Sequence, residues 1–274
     1  MTAPKRYNRI LFTAAGALLL AAFGISLLIG AYPLTAQDIL SALSGGEGMA
    51  VKVFWRLRLP RSLAAMVSGM ALGVCGAVYQ ILFANPLAAP DIMGVSGGAT
   101  LGAAMAIVWG NTAFSAPAAF LGGMAALAGS LLLTRASGSR GTGAMVLSGV
   151  LISALMKMGV MLLKTFADTE GELAAIEFFT MGSFADITAA AVSASAGVVA
   201  FLPLIAPHGA RLLLRGRTKG LLPLSALTSG VLLLLADIAA RLAPGAELPV
   251  SVLTTMLGVP CVAMLMAKGG KQRG

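Results

Sequence analysis

The sequence predicts an all-α fold, a polytopic bundle of transmembrane helices forming a single transmembrane domain over residues 1–274. Three observations predict it. Hydrophobic residues make up 58% of the chain, charged residues only 11%, and the mean hydropathy is +0.92, whereas a water-soluble domain carries roughly a quarter of its residues as charges. The apolar runs reach about 20 residues, the length that crosses a hydrocarbon layer as a helix, and they lack the two-residue alternation of barrel strands. Thirty-four glycines on an Ala-rich background weaken soluble helices, but in lipid they let helices approach closely.

Lys5, Arg6 and Arg9 precede the apolar run Ile10 to Ala31. That run is too long for a signal-peptide core, so it reads as a first span, with no cleavable signal peptide. A second span covers 62–83 and is entered through the doubly basic Pro turn Arg58-Leu59-Pro60-Arg61. Spans at 92–110 and 114–134 follow, divided by the turn signals Gly110-Asn111-Thr112 and Ser115-Ala116-Pro117. Spans at 143–164, 192–213, 220–243 and 249–267 complete eight, and put both termini on one side. With that side cytoplasmic, twelve of the nineteen Lys and Arg residues lie there, as the positive-inside rule requires. The opposing charges concentrate at 52–61. The net charge of +9 is thereby explained by topology and by anionic lipid, without nucleic acid. The stretch 165–190, with Asp168, Glu170, Glu172, Glu177 and Phe178-Phe179, reads as a short external amphipathic helix or loop.

Few residues offer chemistry. One histidine and two cysteines make no metal cluster, so no metal, cofactor or catalytic set is expected. Cys75 and Cys261 lie in apolar runs and read as small buried hydrophobes, and His208 as a packed or hydrogen-bonded side chain. Gly94-Val95-Ser96-Gly97-Gly98 lacks the Lys-Ser/Thr ending of a phosphate loop and reads as tight helix entry. Asp237 is the one carboxylate clearly inside a span, and Arg241, four residues on, shares its helix face and can pair with it. Arg58 and Arg61 at the mouth of the second span fit either interfacial snorkelling or a contact with another protein. Asn85-Pro86-Leu87 is a helix-ending turn. Lys157 sits within the fifth span, where an ammonium in lipid costs about 2.5–3.5 kcal/mol. It therefore snorkels outward or faces a water-filled cavity. Lys164, further out, fits the interface.

The string formed by Arg58-Leu59-Pro60-Arg61, Asn85-Pro86-Leu87-Ala88 and Gly94-Val95-Ser96-Gly97-Gly98 resembles the FecCD-type permeases of ABC importers, which carry iron–siderophore complexes, haem or vitamin B12 across the bacterial inner membrane. The resemblance resumes at Met181-Gly182-Ser183, Pro207-His208-Gly209-Ala210-Arg211, Ala236-Asp237 and Glu247-Leu248-Pro249. It implies a permease subunit without enzymatic activity of its own, paired with a second copy of itself. Glutamates of a periplasmic or lipoprotein substrate-binding protein would dock on Arg58, Arg61 and Arg241. A cytoplasmic ATP-binding subunit would drive transport. Asn85, Leu87, Thr142 and Gly143 would lie near the inner constriction; Lys157, if it faces the pathway and does not snorkel outward, would favour anionic cargo such as a ferric siderophore or a haem propionate. The resemblance breaks between Met181-Gly182-Ser183-Phe184 and Gly197-Val198-Val199-Ala200-Phe201. Only Ala185 to Ala196 stand where the family has two spans and the loop that couples to the ATPase, too few residues for two crossings. A relative unable to couple to ATP hydrolysis, or an uncoupled channel or transporter, is therefore the alternative expectation.

Overall fold

The computed structural model describes residues 5–139, 141–168, 171–182, 201–243 and 248–270. Arg140, Glu170, the 185–196 junction and Glu247 lie outside the described residues. The helices, in chain order, are α1 (Lys5–Leu28), α2 (Ala36–Leu43), α3 (Met49–Val53), α4 (Leu59–Leu82), α5 (Val95–Val108), α6 (Ser115–Ala136), α7 (Thr142–Phe166), α8 (Glu172–Met181), α9 (Leu202–Leu213), α10 (Leu221–Leu242) and α11 (Val250–Gly270). Each of the eight predicted spans overlaps one of these helices.

Among the described residues, five helical segments are long and apolar enough to cross a membrane: Tyr7–Leu28, Met49–Leu82, Thr112–Ala136, Thr142–Phe166 and Leu221–Leu242. Two predicted spans are shorter as described. α5 has 14 residues, about 21 Å at the helical rise. Its start is delayed by a 3₁₀ turn at Pro90–Met93 and by Gly94, whose φ of +75° no β-branched residue adopts readily. α9 has 12 described residues, whereas α11 runs over the 21 residues Val250–Gly270 and is not shorter than its predicted span. The second span is longer than predicted. Arg58-Leu59-Pro60-Arg61 is not a turn; it lies inside one continuous helical rod, through a π-helical turn at Phe54–Arg58. Pro60 is tolerated because it falls in the first turn of α4, where its missing N–H leaves no bond unmade.

The helices form two compact units, one built from α1–α4 and α9–α11, the other from α5–α8. In the first, α10 is the central helix, with 67% of its most apolar window buried against 22% for α1. Small residues make this possible. A Cβ at Gly69 would stand 2.8 Å from the Ser229 carbonyl, and one at Gly73 would collide with that of Ser225. α4 and α10 therefore touch backbone to backbone, around Ala64, Ala65, Leu233 and Leu234. In the second unit, Gly98 of α5 and Gly122 of α6 meet in the same way. Gly97 and Gly98, just after Gly94, thus serve helix packing. Ala104, Ile107, Val160 and Ile176 form that unit's core, and the Ser130 hydroxyl donates to the Met93 carbonyl at 2.9 Å. Cys75 is exposed on α4, contrary to the buried position expected. The face that carries it is apolar (Val78, Leu82), and lipid accepts a thiol there as readily as a protein core does.

Candidate functional site, a buried arginine–aspartate cluster

Three helix ends converge in the first unit: the C-terminus of α1, the N-terminus of α4 and the C-terminus of α10. Asp237, on α10, is fully buried. Its Oδ1 accepts from Arg61 Nε at 2.9 Å and lies 2.9 Å from Arg61 Nη2. Its Oδ2 lies 2.9 Å from Nη2 of Arg241, one turn on. The side-on contact by Arg61 uses the planar donor fork, a geometry lysine cannot supply.

Arg241 does more than neutralise Asp237. Its Nη1 donates to the carbonyls of Ser26 and Ile29, each at 2.9 Å, and its Nη2 to the Ser26 hydroxyl. Ser26 in turn shares a 2.7 Å hydrogen bond with the Ser62 hydroxyl of α4. Arg58 completes the arrangement, with Nη1 donating to the Ile29 carbonyl at 2.6 Å and Nη2 to the Tyr32 carbonyl at 2.9 Å. The last carbonyls of a helix have no partner within it and carry its negative dipole end. Two guanidinium groups satisfy both needs at the end of α1. Gly30 leaves the space: a Cβ there would overlap the Arg58 guanidinium.

The structure thus brings Arg58, Arg61, Asp237 and Arg241 together, with Asp237 and Arg241 paired as their four-residue spacing allows. It places them differently from the expected exposed rim. The three arginines are only 7%, 8% and 7% exposed, and their guanidinium groups point into the bundle. Desolvation explains the turn inward, because a buried carboxylate and free helix-end carbonyls need donors more than the surface does. Ser26, Ile29, Tyr32 and Ser62 belong to the cluster and were not foreseen; a serine inside an apolar run is the only sequence signal any of them gives. The exposed cations at this end are Lys52 on α3 and Arg56 in the π turn.

The remaining candidates lie elsewhere. Asn85 is exposed, and its Oδ1 accepts from the Leu87 amide at 2.9 Å, a local turn; Leu87 is 37% exposed. Thr142 and Gly143 open α7 and are exposed, next to an open cavity of about 440 Å³ lined by Thr134, Arg135, Ser139 and Met145. Lys157 is exposed on α7, while Lys164 pairs with Glu177 at 2.7 Å. At the opposite end of the first unit, the Tyr7 hydroxyl donates to the Leu213 carbonyl and Arg215 covers the Tyr7 ring.

Comparison with known proteins agrees with this architecture. An ABC transporter permease protein of Methanocaldococcus jannaschii is 32% identical, with 98% of this chain and 99% of that one covered. The molybdate import system permease MolB of Haemophilus influenzae is 29% identical over 97% of each. The vitamin B12 import system permease BtuC of Vibrio cholerae is 32% identical over 86% of this chain and 89% of its own. A solved metal-chelate type ABC transporter, captured in an inward-facing conformation, superposes with a TM-score of 0.82 at 28% identity, over 95% of this chain and 99% of that one. The alignment with the M. jannaschii protein runs to 350 positions against 274 residues here, so that relative has residues without a counterpart in this chain. The family match falls in two stretches, residues 18–192 and 184–268, which meet at the 185–196 junction. The chain is a multi-pass membrane protein of the ABC permease type and belongs to the FecCD transport family.

Proposed function

We propose that this chain is the permease subunit of an importer that carries a metal held in a larger ligand shell, an iron–siderophore complex, haem or a corrinoid, across a cell's inner membrane. The observation that carries the reading is the end-to-end likeness to a metal-chelate type transporter and to permeases named for vitamin B12 and molybdate import. On this reading the whole chain acts as one transmembrane domain, both termini are cytoplasmic, and a second copy completes the pathway. A substrate-binding protein docks at the end where Arg58, Arg61 and Arg241 gather, and an ATP-binding subunit works at the other. Hydrolysis belongs to that partner, and no catalytic residue is assigned to this chain. The arginine cluster sets three guanidinium groups against one carboxylate, and its surplus positive charge suits a partner that presents glutamates.

The test is reconstitution of the chain in proteoliposomes with its ATP-binding and substrate-binding partners. ATP-dependent accumulation of a labelled ferric siderophore, haem or cobalamin is the expected result. Failure to move any of the three would overturn the reading.

A second reading is favoured by one observation, the residues of the M. jannaschii relative that find no counterpart here. If they include the element that couples to the ATPase, the chain folds and binds partners without pumping. Co-purification separates the two. A stable complex with the ATP-binding subunit supports the importer, and its absence supports the uncoupled relative. The α6–α7 turn with Arg135 and the α9–α10 loop with Arg215, Arg217 and Lys219 are the surfaces left to make that contact.

A further inference from the structure

Lys157 is a cation placed where a membrane helix has no ordinary use for one. α7 runs 25 residues from Thr142 to Phe166, about 37 Å at the helical rise, so it overhangs a hydrocarbon layer of about 30 Å by only a few ångströms at each end. Lys157 stands nine residues before the C-terminal end. Its Cα is therefore roughly 10 Å inside the apolar layer. A four-carbon stem spans roughly 6 Å. Direction makes the shortfall worse, because helix side chains lean toward the N-terminus, and here that is the more distant surface. Snorkelling does not bring this ammonium to water.

Neither does a counter-ion remove the difficulty. Lys164, two turns on and on the same face, pairs with Glu177 at 2.7 Å. Among the described residues no carboxylate stands at ion-pair distance from Lys157. Its side chain is exposed, beside the exposed Val150, Ala154 and Met161, which share its face at helical spacing. An exposed, unneutralised ammonium at this depth is tolerated only where it lines water.

We infer that Lys157 faces the aqueous translocation pathway and selects for cargo of net negative charge, a metal complex that keeps free carboxylate or oxoanion groups. The inference rests on the permease reading above and adds a substrate class to it. A fixed positive charge in a water-filled cleft with low-dielectric walls concentrates anions and repels cations. Met161, one turn away and 72% exposed, flexes to follow cargo of irregular shape.

The experiment needs neither cargo nor partner proteins. Met161→Cys is introduced into a chain carrying Cys75→Ser and Cys261→Ser, which is then reconstituted in liposomes. The thiol is modified with two membrane-impermeant methanethiosulfonates, one bearing a sulfonate and one a quaternary ammonium. Modification with a preference for the anionic reagent is expected. Lys157→Gln should reduce the anion-to-cation rate ratio about tenfold, the lower end of electrostatic focusing in clefts, and Lys157→Glu should invert it. Leu151→Cys, on the apolar flank of α7, should stay unreactive in the same background. A thiol at 161 no more reactive than that at 151, or a ratio indifferent to residue 157, would overturn the inference. Loss of uptake in the reconstituted transporter with these thiol reactions intact would count against the importer reading alone.

Discussion

Asp237 is gripped from both sides, by Arg61 of α4 and by Arg241 of its own helix, with 2.9 Å between the charged atoms in each case. One carboxylate thereby joins two helices, and Arg241 carries the connection on to α1 through Ser26 and Ile29. Breaking a buried pair by removing one partner costs about 3–5 kcal/mol, because an uncompensated charge stays behind. Asp237→Asn should therefore lower the unfolding temperature in detergent markedly, with two guanidinium groups stranded instead of one. The double change Asp237→Leu with Arg241→Met removes charge from both sides and should cost less than the sum of the single changes. Additive losses would show that the residues do not act as a unit.

How much of this was legible follows from where each contact originates. Helix positions are written in run length, and the Asp237–Arg241 pair in a four-residue spacing. The contacts from Arg241 to Ser26 and from Arg61 to Asp237 span 215 and 176 residues, and only the packing of α1, α4 and α10 creates them. A snorkelling arginine and a buried one are also identical as letters. What separates them is the demand of Asp237 and the α1 carbonyls for donors, which no local pattern expresses. The π turn at Phe54–Arg58 was hidden because the proline at 60 reads as a break, although it is harmless in the first turn of a helix.

Close backbone contact predicts a sharp difference between glycines. At Gly98 a Cβ would collide with the Gly122 carbonyl, whereas at Gly16 nothing lies within 4 Å. Gly98→Val should separate α5 from α6 and cost about 1–3 kcal/mol, the range for overpacking. Gly16→Ala should cost nothing measurable. Thermal unfolding in detergent of the two variants side by side checks the claim, and equal behaviour would refute it.

Asp38 makes a pH prediction outside the apolar spans. It closes a capping box at the start of α2, accepting from the Thr35 amide at 2.8 Å and from its hydroxyl at 2.7 Å while the Thr35 oxygen accepts from the Asp38 amide. The Thr35 hydroxyl and then its amide hold the Asp38 carboxyl below the usual carboxylate range. The depressed value means that the cap stabilises α2 above the ordinary Asp range and is lost as pH falls through the folded value. Amide exchange over α2 should be faster in Asp38→Asn than in the parent at neutral pH, and the two should converge in acid once the carboxyl is protonated. A difference that persists unchanged into acid would remove the carboxylate from the explanation.

Burial of the three arginines separates holding the fold together from attracting a partner. Arg61 and Arg241 are committed to Asp237, while Lys52 and Arg56 lie exposed at the same end of the unit. Exposed charges at an interface rim act chiefly on association rate and its salt dependence, and buried pairs on stability. In the proposed docking, Lys52→Glu combined with Arg56→Glu should slow association of the substrate-binding protein about tenfold at low salt. The gap should narrow as ionic strength rises toward 0.15 M and the screening length falls to about 8 Å. The unfolding temperature should not move. Arg61→Lys should do the reverse, lowering the unfolding temperature because a point charge cannot replace the planar fork, with a smaller effect on association rate. Surface plasmon resonance on nanodisc-embedded protein, run across a salt series, reads both rates. An association rate indifferent to Lys52 and Arg56 at every salt concentration would move the docking surface away from this end of the bundle.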